Sequence, residues 1–107
     1  MTPSVSIIIP VHDQIDYLRA CIESIEKARS HVAYELIVID DRSSQESRQR
    51  MQGMSGFKLL RNDHNLGFVR SCNRAALNAN GTYLFFLNSD TEVTDFWLDE
   101  ALDVYNR

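Results

Sequence analysis

The sequence predicts an α/β fold, a three-layer α/β/α arrangement around a mainly parallel sheet. Short runs rich in β-branched and other apolar residues alternate with stretches whose apolar residues recur every three or four positions. The runs are apolar almost throughout, as suits strands buried on both faces. Each is also followed at once by a polar cluster. On parallel sheets ligands bind at the carboxyl ends of the strands, in the crevice where strand order reverses, so those clusters are where function should be sought.

The first run, Val5-Ser-Ile-Ile-Ile-Pro-Val11, is too short for a helix and ends at Pro10 and Asp13. Over residues 14–29, Ile15, Leu18, Ile22 and Ile25 form one stripe with Arg19, Glu23 and Glu26 between them, an amphipathic helix. Glu35-Leu-Ile-Val-Ile39 is a second buried strand that stops at Asp40-Asp41-Arg-Ser-Ser44. Ser43 or Ser44 can cap a polar helix over Gln45–Gln52, which Gly53 and Gly56 terminate. Residues 57–61 are a weaker third strand, and Asn62-Asp-His-Asn-Leu-Gly67 is turn-like. Val69, Cys72, Ala76 and Ala79 then line a helix closed by Asn80-Gly81, with small side chains suited to close packing on a sheet. A fourth strand over 82–87 ends in Asn88-Ser-Asp90, and a last helix over about 95–105, capped by Thr94, presents Leu98, Ala101, Leu102 and Tyr105. The order is βαβαβαβα.

Composition narrows the function. The 107 residues suit one compact domain, and 44% hydrophobic with 24% charged residues excludes a disordered tail or a fibrous repeat. A net charge of −4 provides no basic field for nucleic acid or an anionic membrane. The longest apolar stretches, 6–11 and 83–87, fall far short of the roughly 20 residues of a transmembrane helix. No secretory signal is evident, so the cytoplasm is the expected compartment, including its membrane surface for a peripheral protein. Cys21 and Cys72 lie inside helical patterns without metal-ligand spacing and read as buried free thiols.

The loops exclude some chemistries and favour others. Pro10-Val-His-Asp-Gln14 holds no glycine where a dinucleotide fold needs Gly-x-Gly-x-x-Gly, and no P-loop is present. What stands out is an acidic pair after the second strand, Asp40 and Asp41, and a lone Asp90 after the fourth. A carboxylate at a strand end can accept from a nucleobase N–H or from ribose hydroxyls. Asp90 is a hard oxygen donor suited to Mg²⁺ or Mn²⁺, which take much of their shell from water and substrate phosphates. Together these outline a nucleoside diphosphate with its metal.

Four blocks carry a resemblance: Val5-Ser-Ile-Ile-Ile-Pro-Val-His-Asp13, Ile37-Val-Ile-Asp-Asp-Arg-Ser-Ser44, Asn65-Leu-Gly67 with Asn73, and Gly81-Thr-Tyr-Leu-Phe-Phe-Leu-Asn-Ser-Asp-Thr-Glu-Val93. In this order and spacing the chain resembles the N-terminal part of family 2 glycosyltransferases. The resemblance implies the Rossmann-like GT-A fold, a nucleotide-diphosphate-sugar donor such as a UDP- or dTDP-sugar, and inversion at the anomeric carbon. It places Pro10, Val11, His12 and Asp13 around the nucleotide, with Asp41 accepting from the base N–H. Gly67, Arg70 and Asn73 belong to the loop and helix block lining that site. Asn88, Ser89 and Asp90 occupy the place of the Asp-x-Asp motif, with Asp90 as metal ligand. Asn88 and Ser89 replace acids of that motif, a form similar to rhamnosyltransferase-like members.

The resemblance further implies a role in polysaccharide biosynthesis and a glycan or lipid-linked acceptor, with the catalytic base beyond Arg107. The chain is thus expected to be the donor-binding domain, 1–107, of a longer enzyme. A homodimer is expected if the sheet edge is left open. The alternative is a non-catalytic nucleotide-binding or interaction module that keeps the fold. Each residue also has a plainer reading: Asp13 as cap of the first helix, Asp40 with Ser43 and Ser44 as a capping turn, Arg70 as an exposed helix arginine, and Asp90 as the start of a turn with Thr91.

Overall fold

The computed structural model describes residues 3–106. Four parallel strands, β1 (Val5–Val11), β2 (Tyr34–Asp40), β3 (Lys58–Arg61) and β4 (Tyr83–Phe86), form one sheet in the order β3-β2-β1-β4. β1 is central and pairs with β2 from Val5 opposite Tyr34 to Val11 opposite Asp40, and with β4 from Val5 opposite Tyr83 to Ile8 opposite Phe86. The helices are α1 (Ile15–Lys27), α2 (Gln45–Gln52), α3 (Gly67–Ala76) and α4 (Trp97–Tyr105).

Strand alternation sorts the side chains into two cores. Val5, Ile7, Ile9, Leu36 and Val38 pack with Leu18, Ile22 and Ile25 of α1, Met51 of α2 and Leu98 of α4. Ile8, Ile37 and Ile39 point the other way, onto Cys72 and Ala75 of α3. The result is the expected three-layer sandwich, with α3 alone on its face. Both cysteines are buried and free.

The chain winds outward from β1 through β2 to β3, then crosses back to place β4 on the other side of β1. The order therefore reverses between β1 and β4. The loop after β1 and the loop after β4 flank the switch point where parallel sheets open a crevice.

Helix boundaries depart from the sequence pattern where distant partners take the capping groups. Asp13 does not cap α1: the helix starts after Gln14, whose φ is 56° and whose side chain makes no capping bond. The Asp13 carboxylate instead accepts from Ser44 N at 2.9 Å, across the sheet edge. Ser44 caps α2 as expected, accepting from Ser47 N. Thr94 does not cap α4 through its side chain; the helix begins at Trp97, after Phe96 at φ 62°. The preceding segment is held by the end of α1: Ser24 Oγ accepts from Val93 N, and Asp95 Oδ1 accepts from Arg29 N at 2.8 Å. α3 ends at Ala76, short of Asn80, because Asn80 N and Gly81 N are drawn to Glu35 Oε2 and Ser6 Oγ at the start of β4.

β4 is an edge. Leu84 and Phe86 are exposed on its α3 side, while Tyr83 and Phe85 meet Tyr105 and Trp97 edge-on at ring-centroid distances of 5.2 and 5.9 Å. Among the described residues, no helix is long and apolar enough to cross a membrane.

Candidate functional site

The loops after β1, β2 and β3 are laced together by hydrogen bonds from side chain to backbone. Asp13 N donates to Ser43 Oγ at 2.8 Å, and Ser44 N returns a bond to Asp13 Oδ1. Asp40, fully buried, accepts from Ser43 N at 2.8 Å and from Arg61 Nη1 at 2.6 Å. These bonds hold three non-glycine residues, Asp13, Gln14 and Arg42, at positive φ. Such conformations are costly and persist where the surroundings fix them, commonly at binding sites. The bond from Ser44 N comes first among the causes that keep the Asp13 carboxyl below the usual carboxylate range.

Asp41 is the hub of the next layer. Its Oδ1 accepts from Leu66 N at 2.7 Å and from Asn62 Nδ2 at 2.9 Å, and its Oδ2 accepts from Gly67 N at 2.9 Å. With its amide nitrogen turned toward these oxygens, Asn65 donates to Asp41 Oδ2 at 3.2 Å and to Asp41 O at 2.9 Å. A carboxylate offers about four lone-pair directions, and here four donors meet them. A base N–H can reach Asp41 only by displacing one of them, and the exposed Asn65 amide is the easiest to move. Burial pushes the Asp41 carboxyl up, but the donors from Leu66, Asn62 and Gly67 together outweigh it and hold it below the usual range.

Sequence reasoning missed the support behind this hub. Asn62, 1% exposed, donates to Ser71 Oγ as well as Asp41, and its own oxygen accepts from Arg74 Nη1. The available signal was Ser71, a polar residue inside the small apolar stripe of α3.

Two clefts lie along this edge. A small one of about 150 Å³ is lined by Pro10, Val11, His12, Asp41, Gly67 and Phe68. A larger, open one of about 520 Å³ is lined by Pro10, Gln14, Tyr17, Asn88, Ser89 and Asp90, at the β1/β4 switch point. Pro10 belongs to both, so the clefts adjoin. Of the residues expected at the site, Pro10, Val11, His12, Asp41 and Gly67 line the first, and Pro10, Asn88, Ser89 and Asp90 the second. Asp13 lines neither and serves the loop lacing. Arg70 and Asn73 are exposed on α3, one helical turn apart, and line neither cleft.

Asn88 O accepts from Thr91 N at 3.1 Å, so a turn is present here, but it starts at Asn88 and Asp90 is its third residue rather than its first. Asp90 is exposed and lines the larger cleft together with Asn88 and Ser89. Among the described residues no cluster of three or more His, Cys, Asp or Glu side chains could hold a metal. One carboxylate with neutral oxygen donors suits a hard cation whose remaining shell is water and phosphate.

The sequence profile of Glycosyl transferase family 2 matches residues 6–107. The chain belongs to this family. It is 33% identical over 110 residues to the O-antigen biosynthesis protein RfbC of Myxococcus xanthus, covering 99% of this chain and 9% of that protein. It is likewise 33% identical over 102 residues to the UDP-Glc:alpha-D-GlcNAc-diphosphoundecaprenol beta-1,3-glucosyltransferase WfgD of Escherichia coli, covering 94% of this chain and 38% of that protein. The fold matches S. aureus TarS 1–349 in complex with UDP with a TM-score of 0.79 at 22% identity, over 96% of this chain and 32% of that one. The family 2 chain thus has the GT-A fold and spans well under half the length of these relatives.

Proposed function

We propose that residues 1–107 form the donor-binding part of a longer glycosyltransferase, taking a nucleotide-diphosphate-sugar such as a UDP- or dTDP-sugar. The observation that carries this reading is the pair of adjoining clefts at the carboxyl edge, meeting at Pro10 where strand order reverses. The smaller suits a base, with Pro10, Val11 and His12 as its near wall and Gly67 as the far lip. The larger suits the diphosphate and sugar.

Within that reading Asp13 and Asp41 hold the loops that frame the nucleotide. Arg70 and Asn73, exposed on α3 and outside both clefts, contribute to this reading only as a cation and a carboxamide at the outer rim of the donor site. Asn88 and Ser89 offer neutral hydrogen-bonding groups beside Asp90, the ligand for Mg²⁺ or Mn²⁺. When bound, such an ion offsets the charge that develops on the leaving diphosphate. The transfer is displacement at the anomeric carbon by an acceptor hydroxyl, with inversion, and it needs a base to take the hydroxyl proton. Asp95, engaged with Arg29 N, is poorly placed for that task. We assign the base and the glycan or lipid-linked acceptor site to polypeptide outside these residues, consistent with the greater length of the relatives. The setting is the cytoplasm, with peripheral attachment at the inner face of the membrane. The exposed Leu84 and Phe86 on the β4 edge offer a contact for a second copy.

The replacement of acids by Asn88 and Ser89 favours one second reading, a nucleotide-binding module without catalysis. Thermal shift with UDP, dTDP, GDP and CDP, each with and without Mn²⁺, separates the two, since a ligand bound only by the native state raises apparent stability. Stabilisation that requires Mn²⁺ supports the donor-domain reading. Stabilisation indifferent to Mn²⁺ supports the module, and no stabilisation by any nucleotide contradicts both.

A further inference from the structure

We propose that Phe68 is a base-stacking residue, forming with His12 an aromatic slot for a single six-membered ring, and that Asp41 positions both rings. The inference rests on the donor-site reading above and deepens it.

Phe68 is half exposed at the second position of α3 and lines the small cleft together with His12. It belongs to neither core cluster, so packing gives no account of a large aromatic residue there. Its backbone, by contrast, is tightly placed. The two peptide N–H groups immediately before it, from Leu66 and Gly67, both end on the Asp41 carboxylate, and Gly67 takes φ 81° to turn the chain into the helix. His12 is fixed by the same residue: its Nδ1 donates to Asp41 O at 2.8 Å. One residue therefore sets the Phe68 backbone through its side chain and the His12 ring through its carbonyl.

The cleft between them, about 150 Å³, is of the size that accepts one benzene-sized ring. A pyrimidine fits within it, whereas the second ring of a purine has to project past its rim. With the Asp41 oxygens already engaged, stacking rather than a new carboxylate hydrogen bond is the larger contribution to base binding.

The test is binding of UDP, dTDP, GDP and ADP, each in the presence of Mn²⁺, to the 107-residue chain by isothermal titration calorimetry, for the wild type and for Phe68→Ala, Phe68→Tyr and Val69→Ala. Base–aromatic stacking contributes enough that its loss should weaken UDP about tenfold or more in Phe68→Ala. Phe68→Tyr should restore it, and Val69→Ala, at an exposed neighbour outside the cleft, should leave it unchanged. Wild type should bind UDP and dTDP more tightly than GDP and ADP, and circular dichroism melts should show each variant as folded as wild type. If UDP binds Phe68→Ala as tightly as wild type, or if purine nucleotides bind equally well, the slot is overturned while the donor-site reading stands. If no nucleotide binds wild type, the donor-site reading fails and the slot fails with it.

Discussion

His12 Nδ1 donates to the carbonyl oxygen of Asp41 at 2.8 Å, joining the loop after β1 to the loop after β2. A carbonyl only accepts, so Nδ1 carries a proton. Nε2 lies 3.6 Å from Asp13 Oδ2. The site edge is thus organised before any ligand arrives, and Asp41 is the residue on which most of that order depends.

Asp41→Ala should therefore destabilise the chain strongly. It strands the Leu66 and Gly67 N–H groups and the Asn62 amide, and a hydrogen bond to a charged acceptor contributes about 1.5–3 kcal/mol. Urea denaturation should show a loss of about 2 kcal/mol or more; an unchanged midpoint would show that the loop is held by something else. The pH dependence has a definite sign. The Asp41 carboxyl is depressed in the fold, so its contribution is present above the unfolded carboxyl pKa of about 3.9 and is lost as pH falls through the lower folded value. The acid limb of the stability profile should flatten in Asp41→Asn.

Gly81 is a close-approach glycine. A Cβ there would lie 2.5 Å from Ser6 N and 2.7 Å from the carbonyl carbon of Val5, both on central strand β1. Gly81→Ala should cost about 1–3 kcal/mol through overpacking. At Gly53 the nearest atom to an added Cβ is Arg50 O at 3.5 Å, an ordinary contact, and Gly53→Ala should be near neutral. Thermal melts of the two variants side by side test the difference; equal melting temperatures would contradict the β1–β4 junction described above.

Asp90 is exposed and makes no core contact, so Asp90→Ala should leave the melting temperature of the unliganded chain within about a degree or two. With UDP and Mn²⁺ present, the variant should lose the metal-dependent part of the stabilisation. A variant that keeps the full Mn²⁺-dependent shift would remove Asp90 from the metal site.

The Cys21 thiol is pushed up to about 11, first by burial and then by the nearby Asp90 and Glu92 carboxylates. Burial raises the Cys72 thiol too. Little thiolate exists at pH 8, so both thiols should react slowly with a disulfide reagent in the folded chain and rapidly in urea. Fast labelling of native protein would contradict their burial.

The element order was legible because β-branched runs and helical periodicity are local signals. Ile7 and Ile9 could be placed opposite Ile8 from alternation alone, and of the stripe Val69, Cys72, Ala76 and Ala79 the structure buries Cys72 and half-buries Ala76 and Ala79, while Val69 is exposed and Ala75 takes the fully buried place on the sheet. Helix starts were less legible. Asp13 and Thr94 are good caps by residue type, but Asp13 is taken by Ser44, and the segment holding Thr94 is pulled toward Ser24 and Arg29. The site followed the same pattern. The carboxyl-edge loops were identifiable from their polar clusters, whereas the filling of Asp41 depends on donors from Asn62 to Gly67 that only the fold brings to it.

The most direct test of the donor site is a titration of ¹⁵N-labelled chain with UDP in the presence of Mg²⁺, followed residue by residue through the amide resonances. The account predicts shifts concentrated at residues 11–14, 65–70 and 88–90, with the start of β1 and the end of α1 unmoved. Shifts centred on the opposite edge of the sheet, or none at millimolar UDP, would contradict it.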